Sequence, residues 1–260
     1  MAEIKVLERP PLSAWQVESL RMTVFLSPTV QVPATPTWWK DLVGEPAETQ
    51  NALPRQKVWR EEGPFERGKL AVAVQFSRRI DWLYLATDPP EGGQEEPPTL
   101  GSFPEVLTSF SRLMIRWFQS DASPSVQRLA FGSTLIQPVD NQQIGYQQIA
   151  AYLPHFSLNL EGASDFFFQI NRPRTSTSGI SDLRINRLSK WSVPIWAMTE
   201  IPATPEMGFR VRQRGALCRL ELDINTAPDF PGDLPQERLS QIFEELASLG
   251  QEIAREGDIP

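Results

Sequence analysis

The residue order predicts an α+β protein built as two related lobes, each an antiparallel sheet backed by a long amphipathic helix. Three observations carry that expectation. Strand-period alternation occurs in both halves, at Leu70, Val72, Val74 and Phe76, and again at Ala216, Cys218, Leu220, Leu222 and Ile224. Each half also closes on a helix-period stripe: Leu107, Phe110, Leu113, Met114, Trp117 and Phe118 in the first, and Leu239, Ile242, Phe243, Leu246, Leu249 and Ile253 in the second. Finally, residues 20–44 and 129–153 both run strand, proline stop, capped helix over the same length. The expected lobes are 1–120 and 126–260, joined by the short polar linker Asp121-Ala122-Ser123-Pro124-Ser125.

In chain order, the β-branched and aromatic run Leu20–Leu26 is a first strand stopped by Ser27-Pro28. Thr37 caps a short helix that Gly44 closes. Residues 45–64 read as irregular. The alternation of 70–76 pairs with 80–85 around Ser77-Arg78-Arg79 as a hairpin, and the acidic stretch Asp88–Pro98 is a loop. Ser102 and Glu105 form a capping box with Pro104 in the first turn, and open a helix that ends near Gln119. Arg128–Gln137 is a strand stopped by Pro138, and Asp140 caps a Gln-rich helix to Leu153. Phe156, Leu158 and Leu160 alternate, a turn follows at 161–164, and Phe166, Phe168 and Ile170 return. Further strands cover 180–188, 191–198 and 217–225, and Asp233 with Pro235 opens the last helix.

Charge is distributed against the grain of the whole chain. The net charge is −7, yet from Arg172 to Arg219 nine basic residues (Arg172, Arg174, Arg184, Arg187, Lys190, Arg210, Arg212, Arg214 and Arg219) face three acidic ones, which leaves −13 for the remainder. An acidic chain is a poor generic ligand for nucleic acid, but a local basic stripe acts at short range because salt screens distant charges within about 10 Å. No apolar run reaches the roughly 20 residues of a membrane helix, and the first residues lack the pattern of a signal peptide, so a cytoplasmic setting is expected. The one cysteine, Cys218, agrees with a reducing compartment.

Residues able to carry chemistry are sparse. His155, the only histidine, stands between Pro154 and Phe156 and would need distant partners to bind metal or act as a base. Cys218 falls on the apolar face of its strand and reads as core. Glu221 and Asp223 share a polar face; either paired carboxylates or a solvated strand face accounts for them. Phe131-Gly132-Ser133-Thr134 lacks the nucleophile-elbow pattern, and the acidic loop at 90–96 would repel phosphate. No catalytic residue, metal site or cofactor is expected, and the chain reads as non-enzymatic.

Two features point to partners. The polar loop 171–179 carries Arg172 and Arg174, whose guanidinium groups suit bidentate anion recognition, with Arg184, Arg187 and Lys190 extending the charge. The alternative explanation is a solvated face that offsets the acidic remainder. The adjacent Trp38 and Trp39 point in different directions on a short helix, so one is expected to be exposed as an anchor, with packing against the proline-rich loops as the other possibility.

Pro10-Pro11-Leu12 ahead of a strand, the Leu129-Ala130-Phe131 strand leading to Tyr146, the string Ile185-Asn186-Arg187-Leu188 and the strand Leu220–Asn225 before a long helix resemble a sporadically distributed, uncharacterised bacterial protein family. The resemblance implies a mobile- or defence-locus accessory role and assigns no catalytic residues.

The expected function is a non-enzymatic interaction or accessory protein of the bacterial cytoplasm, with the resemblance implying a subunit of a defence-type complex. It would bind a protein partner through Trp38, Trp39, Arg172, Arg174, Arg184, Arg187 and Lys190, with the oligomeric state open. The alternative is RNA or DNA binding through the basic block 172–219. The two are separated by arrangement: Arg172, Arg174, Arg184, Lys190 and Arg212 in one open groove, with Trp38 and Trp39 both buried, would favour nucleic acid, which needs aligned cations and an open aromatic such as Trp191 or Trp196.

Overall fold

The computed structural model describes residues 8–33, 36–87, 96–121, 123–156, 160, 162–200 and 210–260, and side chains throughout these except at 198–200 and 210–214. Its secondary structure runs β1 (Gln16–Leu26), α1 (Trp38–Val43), β2 (Thr49–Leu53), β3 (Val58–Phe65), β4 (Gly68–Gln75), β5 (Arg79–Leu85), α2 (Phe103–Phe118), β6 (Val126–Val139), α3 (Gln142–Tyr152), β7 (Phe167–Asn171), β8 (Arg174–Thr175), β9 (Arg184–Ser192), β10 (Ile195–Glu200), β11 (Arg210–Thr226) and α4 (Leu239–Glu256).

The class is α+β, but the expected pair of separate sheets is corrected. Among the described residues eleven strands form one sheet, in the order β2-β3-β4-β5-β1-β6-β11-β9-β7, with β10 beside β11 and β8 beside β9. The two halves meet at the antiparallel β1–β6 pair, centred near Met22 opposite Phe131. In each half the first strand pairs with the last, β1 with β5 and β6 with β11. Because β1 and β6 both bury alternate apolar side chains, fusing them covers two edges that separate lobes would leave unpaired.

The four α-helices of the described residues lie on one face. Along β1 the residues Leu20, Met22 and Val24 point toward them and are fully buried. Phe243 of α4 is the hub of this layer: its ring meets Phe110 and Phe118 of α2 and Phe131 of β6 at centroid distances of 6.4, 6.1 and 6.2 Å. Trp82 of β5 packs edge-on to Trp117 of α2. In the same layer, Tyr152 of α3 stacks on Trp191 of β9 and both meet Trp15, whose indole N–H donates to Ala254 O at 2.8 Å.

Several local expectations change for physical reasons. Residues 45–64 are not irregular: β2 and β3 are polar strands that the ladder to β4 holds in place, and Pro64 is tolerated because β2 pairs only as far as Glu62. The strand β6 runs through Pro138, beyond the last β1 pair at Gln16–Ile136. Asn141 caps α3 in place of Asp140, its Oδ1 accepting from Ile144 N at 3.0 Å. Ser102 stands at the start of α2 without a side-chain cap bond, and the last helix begins at Leu239 after a 3-10 turn at Gln236–Arg238, so Asp233 caps nothing. The return strand β7 pairs with β9; residues 157–159 and 161 of its expected partner lie outside the described residues, as do 88–95 of the acidic loop.

Trp38 and Trp39 are both buried, at 6% and 2% exposure, so the exposed anchor is corrected. Their diverging directions find two different covers. Trp38 meets Trp117 of α2 edge-on at 6.1 Å, while the Trp39 ring lies over Gly63 of β3.

Candidate functional site

The basic residues singled out from the sequence divide among three places. Arg172 and Arg174 were expected to stand free in their loop; instead they grip the end of α4. Arg172 binds Asp258 with two bonds of 2.6 Å, and the Asp258 side chain is only 3% exposed. Arg174 reaches Glu252 at 3.2 Å. Arg187, 2% exposed, lies 4.0 Å from Glu252 and donates weakly to Ile259 O. Burial holds the Arg187 guanidinium below its ordinary range, Arg174 reinforces that, and Glu252 and Asp258 oppose it. The same loop is tied again at Glu245, which accepts from Ser176 Oγ, Thr177 N and Thr177 Oγ1. Much of the basic block thus neutralises the chain's own carboxylates.

Gly257 makes this attachment possible. It has φ +81°, and a Cβ there would sit 2.0 Å from Tyr152 O, so only glycine lets the chain turn closely enough for Asp258 N to donate to that carbonyl.

Arg184 is exposed in a separate hollow with Asp182 and Asp229. Lys190 is on the face of the sheet opposite the helices. The side chains of Arg210, Arg212 and Arg214 lie outside the described set. Trp191 is fully buried, so it offers no stacking platform.

Lys190 leads to an uncovered surface of the sheet. Among the described residues no helix lies on the second face of the sheet. Strand alternation places Ser19, Arg21, Thr23 and Phe25 of β1 there, with Arg128, Ala130, Gly132 and Thr134 of β6 and Arg219, Glu221, Asp223 and Asn225 of β11. The register aligns Leu83, Arg21, Gly132, Asp223 and Leu188 in one row across five strands. Gly132 is the centre of that row. A Cβ on it would stand 3.1 Å from Arg21 Nη2, so the absent side chain lets the guanidinium lie flat on the sheet and face Asp223 at 3.6 Å. A strand-interior glycine here marks close approach rather than a bend.

Two adjoining hollows flank this row. One, of about 290 Å³, includes Ser19, Arg21, Thr134, Lys190, Glu221 and Asp223 in its lining; the other, of about 180 Å³, includes Arg21, Phe25, Arg79, Arg128, Asp223 and Asn225. Their floor is small and polar. Thr23 donates to Asp81 at 2.6 Å, Arg79 also donates to Asp81, and Ala130 is buried between the longer side chains. At the rim the charges are paired: Lys190 to Glu221 at 3.3 Å, and Arg219 to Glu18 at 2.6 Å and to Glu221 at 3.2 Å. Burial raises the Glu18 carboxyl and Arg219 opposes the rise.

Among the described residues no three His, Cys, Asp or Glu side chains are grouped as metal ligands would be. His155 is exposed and Cys218 is buried, its thiol pushed up to about 12 by burial and donating to Gly145 O. No described helix is long and apolar enough to cross a membrane. Compared with known proteins, the chain matches no family model and no curated protein.

Arg21, Arg79, Arg128 and Gly132 were not singled out from the sequence, although one signal was present. Arg21 and Thr23 interrupt Leu20, Met22 and Val24 with period two, the pattern of a strand with one uncovered face.

Proposed function

We propose that the chain is a non-enzymatic accessory protein that docks a protein partner on the helix-free face of its sheet. The observation that carries this reading is the mixed-charge surface around the Arg21–Gly132–Asp223 row. The Arg21–Asp223 and Lys190–Glu221 pairs are about one-third exposed or more, and such pairs contribute only about 0–1 kcal/mol each, so a partner's charges can replace them at little cost. Interleaved acids and bases with a small-residue floor suit a protein surface of complementary pattern.

Nucleic-acid binding is the less favoured reading. Trp38 and Trp39 are buried as that reading requires, but Arg172 and Arg174 are occupied by Asp258 and Glu252 while Lys190 lies on the opposite face. Among the described residues, Arg172, Arg174 and Lys190 therefore do not share one groove, and Trp191 is buried and offers no stacking face beside them. The setting in a bacterial defence-type locus rests on the family resemblance, and descent of the two halves from one duplicated unit rests on their like pairing order.

Co-purification from the native host tests the reading. Reversing Glu221 and Asp223 to lysine should release the partner protein, whereas Glu244→Lys on the exposed side of α4 should retain it. Equal retention by both variants, or recovery of nucleic acid in place of protein, would count against it.

A further inference from the structure

The smaller hollow on the open face has a composition that defines what it would hold. Three guanidinium groups from adjacent strands line it: Arg79 of β5, Arg21 of β1 and Arg128 of β6. Phe25 keeps two of them apart, with the Cζ atoms of Arg128 and Arg79 at 4.7 and 5.7 Å from its ring centroid. Arg79 is firmly paired with Asp81 at 2.8 Å. The other two retain donors to offer: Arg128 makes only long bonds, 3.3 Å to Thr226 O and 3.4 Å to Asn225 Oδ1, and Arg21 stands 3.6 Å from Asp223. Each guanidinium carries five N–H donors, so neither is near saturation.

We propose that this hollow receives a single carboxylate side chain of the docking partner, held by Arg21 and Arg128; the proposal rests on the docking reading above. Charge decides the class of ligand. Three arginines against Asp81 and Asp223 leave one net positive charge, which one carboxylate neutralises. A phosphate dianion would leave the site negative beside those two acids. A nucleic-acid strand would carry its next phosphate into the adjoining hollow, where Glu221 and Asp223 balance Lys190 and Arg21 and leave no net positive charge to receive it. Nor can a base stack freely on Phe25, since arginines already cover it.

The test uses the full chain at low ionic strength, observing the arginine side-chain Nε–H resonances by NMR. The probes are acetyl-Gly-Glu-Gly-amide, its Gln counterpart, inorganic phosphate and an oligothymidylate. The Glu peptide should shift the Arg21 and Arg128 signals saturably, its Gln counterpart should not, and neither phosphate nor the oligothymidylate should act at lower concentration. Arg128→Gln should weaken Glu-peptide binding about tenfold with the backbone amide spectrum otherwise unchanged; should that variant fail to fold, Arg21→Gln is the equivalent. Silence of both arginines to the Glu peptide, or a stronger response to phosphate or the oligothymidylate, overturns the proposal. If the arginines are silent while the partner still co-purifies, the anchor is wrong and the docking reading stands. If they respond while the charge-reversed chain keeps its partner, the docking reading fails and the anion site stands.

Discussion

At the scale of single residues, the clearest consequences lie where a charge is buried. Arg172 and Asp258 form a pair whose members differ in exposure, 28% against 3% for the side chains. Removing either costs the shared bonds, but what remains differs. Asp258→Ala leaves a guanidinium that still reaches water; Arg172→Ala leaves a carboxylate in the protein interior. Breaking a buried pair costs about 3–5 kcal/mol when the survivor is sealed in. Arg172→Ala should therefore approach about 3 kcal/mol and Asp258→Ala about half of that, read as the shift in urea midpoint at constant slope. Equal costs would mean that the end of α4 frays and hydrates Asp258.

Glu61 gives a pH signature. Burial raises its carboxyl above 4.5, opposed by the hydrogen bond that Gln50 donates to it. A raised carboxyl binds its proton more tightly in the folded chain than in the unfolded one. Stability from this group is therefore greatest at low pH and falls as pH rises from the unfolded value through the folded one. Glu61→Gln should remove that decline and make the protein more stable than the parent at neutral pH, measured by thermal unfolding across the acid range. A variant that is less stable at neutral pH would show that the ionised carboxylate contributes a favourable contact.

At the scale of elements, the helices are held by aromatic contacts and the strands by register. Phe243 links α4 to α2 and β6 through three rings, so Phe243→Ala should cost about 3–5 kcal/mol, as large-to-small changes of buried aromatics do. Guanidinium denaturation checks the value, and a cost below about 1 kcal/mol would show that the layer closes over the lost ring. This helical stripe was legible in the sequence because burial on one face imposes a 3.6-residue period on Leu239, Ile242, Phe243 and Leu246. β2 and β3 were not legible. Thr49-Gln50-Asn51-Ala52-Leu53 has no apolar alternation, and Gly63 and Pro64 disguise the strand beside it; only pairing with Gly68–Gln75 makes them strands. Trp38 and Trp39 misled for a related reason, since two surfaces in different elements cover them and neither surface is near in sequence.

At the scale of the whole molecule, one sheet carries helices on one side and a mixed-charge surface on the other, and that division is the basis of the functional reading. The basic block was visible as composition, but its use was not. Composition cannot tell that Arg172 and Arg174 turn to Asp258 and Glu252 while Lys190 turns the other way, because the carboxylates arrive from an element about 80 residues later in the chain. The open-face site was only half legible: Glu221 and Asp223 were recognisable as a polar strand face, whereas Arg21 and Gly132 meet them only through the β1–β6–β11 register.

The most direct test places a photo-activated cross-linker in the native host at Ser19 and Thr134 on the open face, and at Arg112 and Glu244 on the helical side. The docking account predicts a discrete protein adduct from the first two positions, resistant to nuclease, and none from the other two. An adduct formed only on the helical side, or one that nuclease removes, would contradict it.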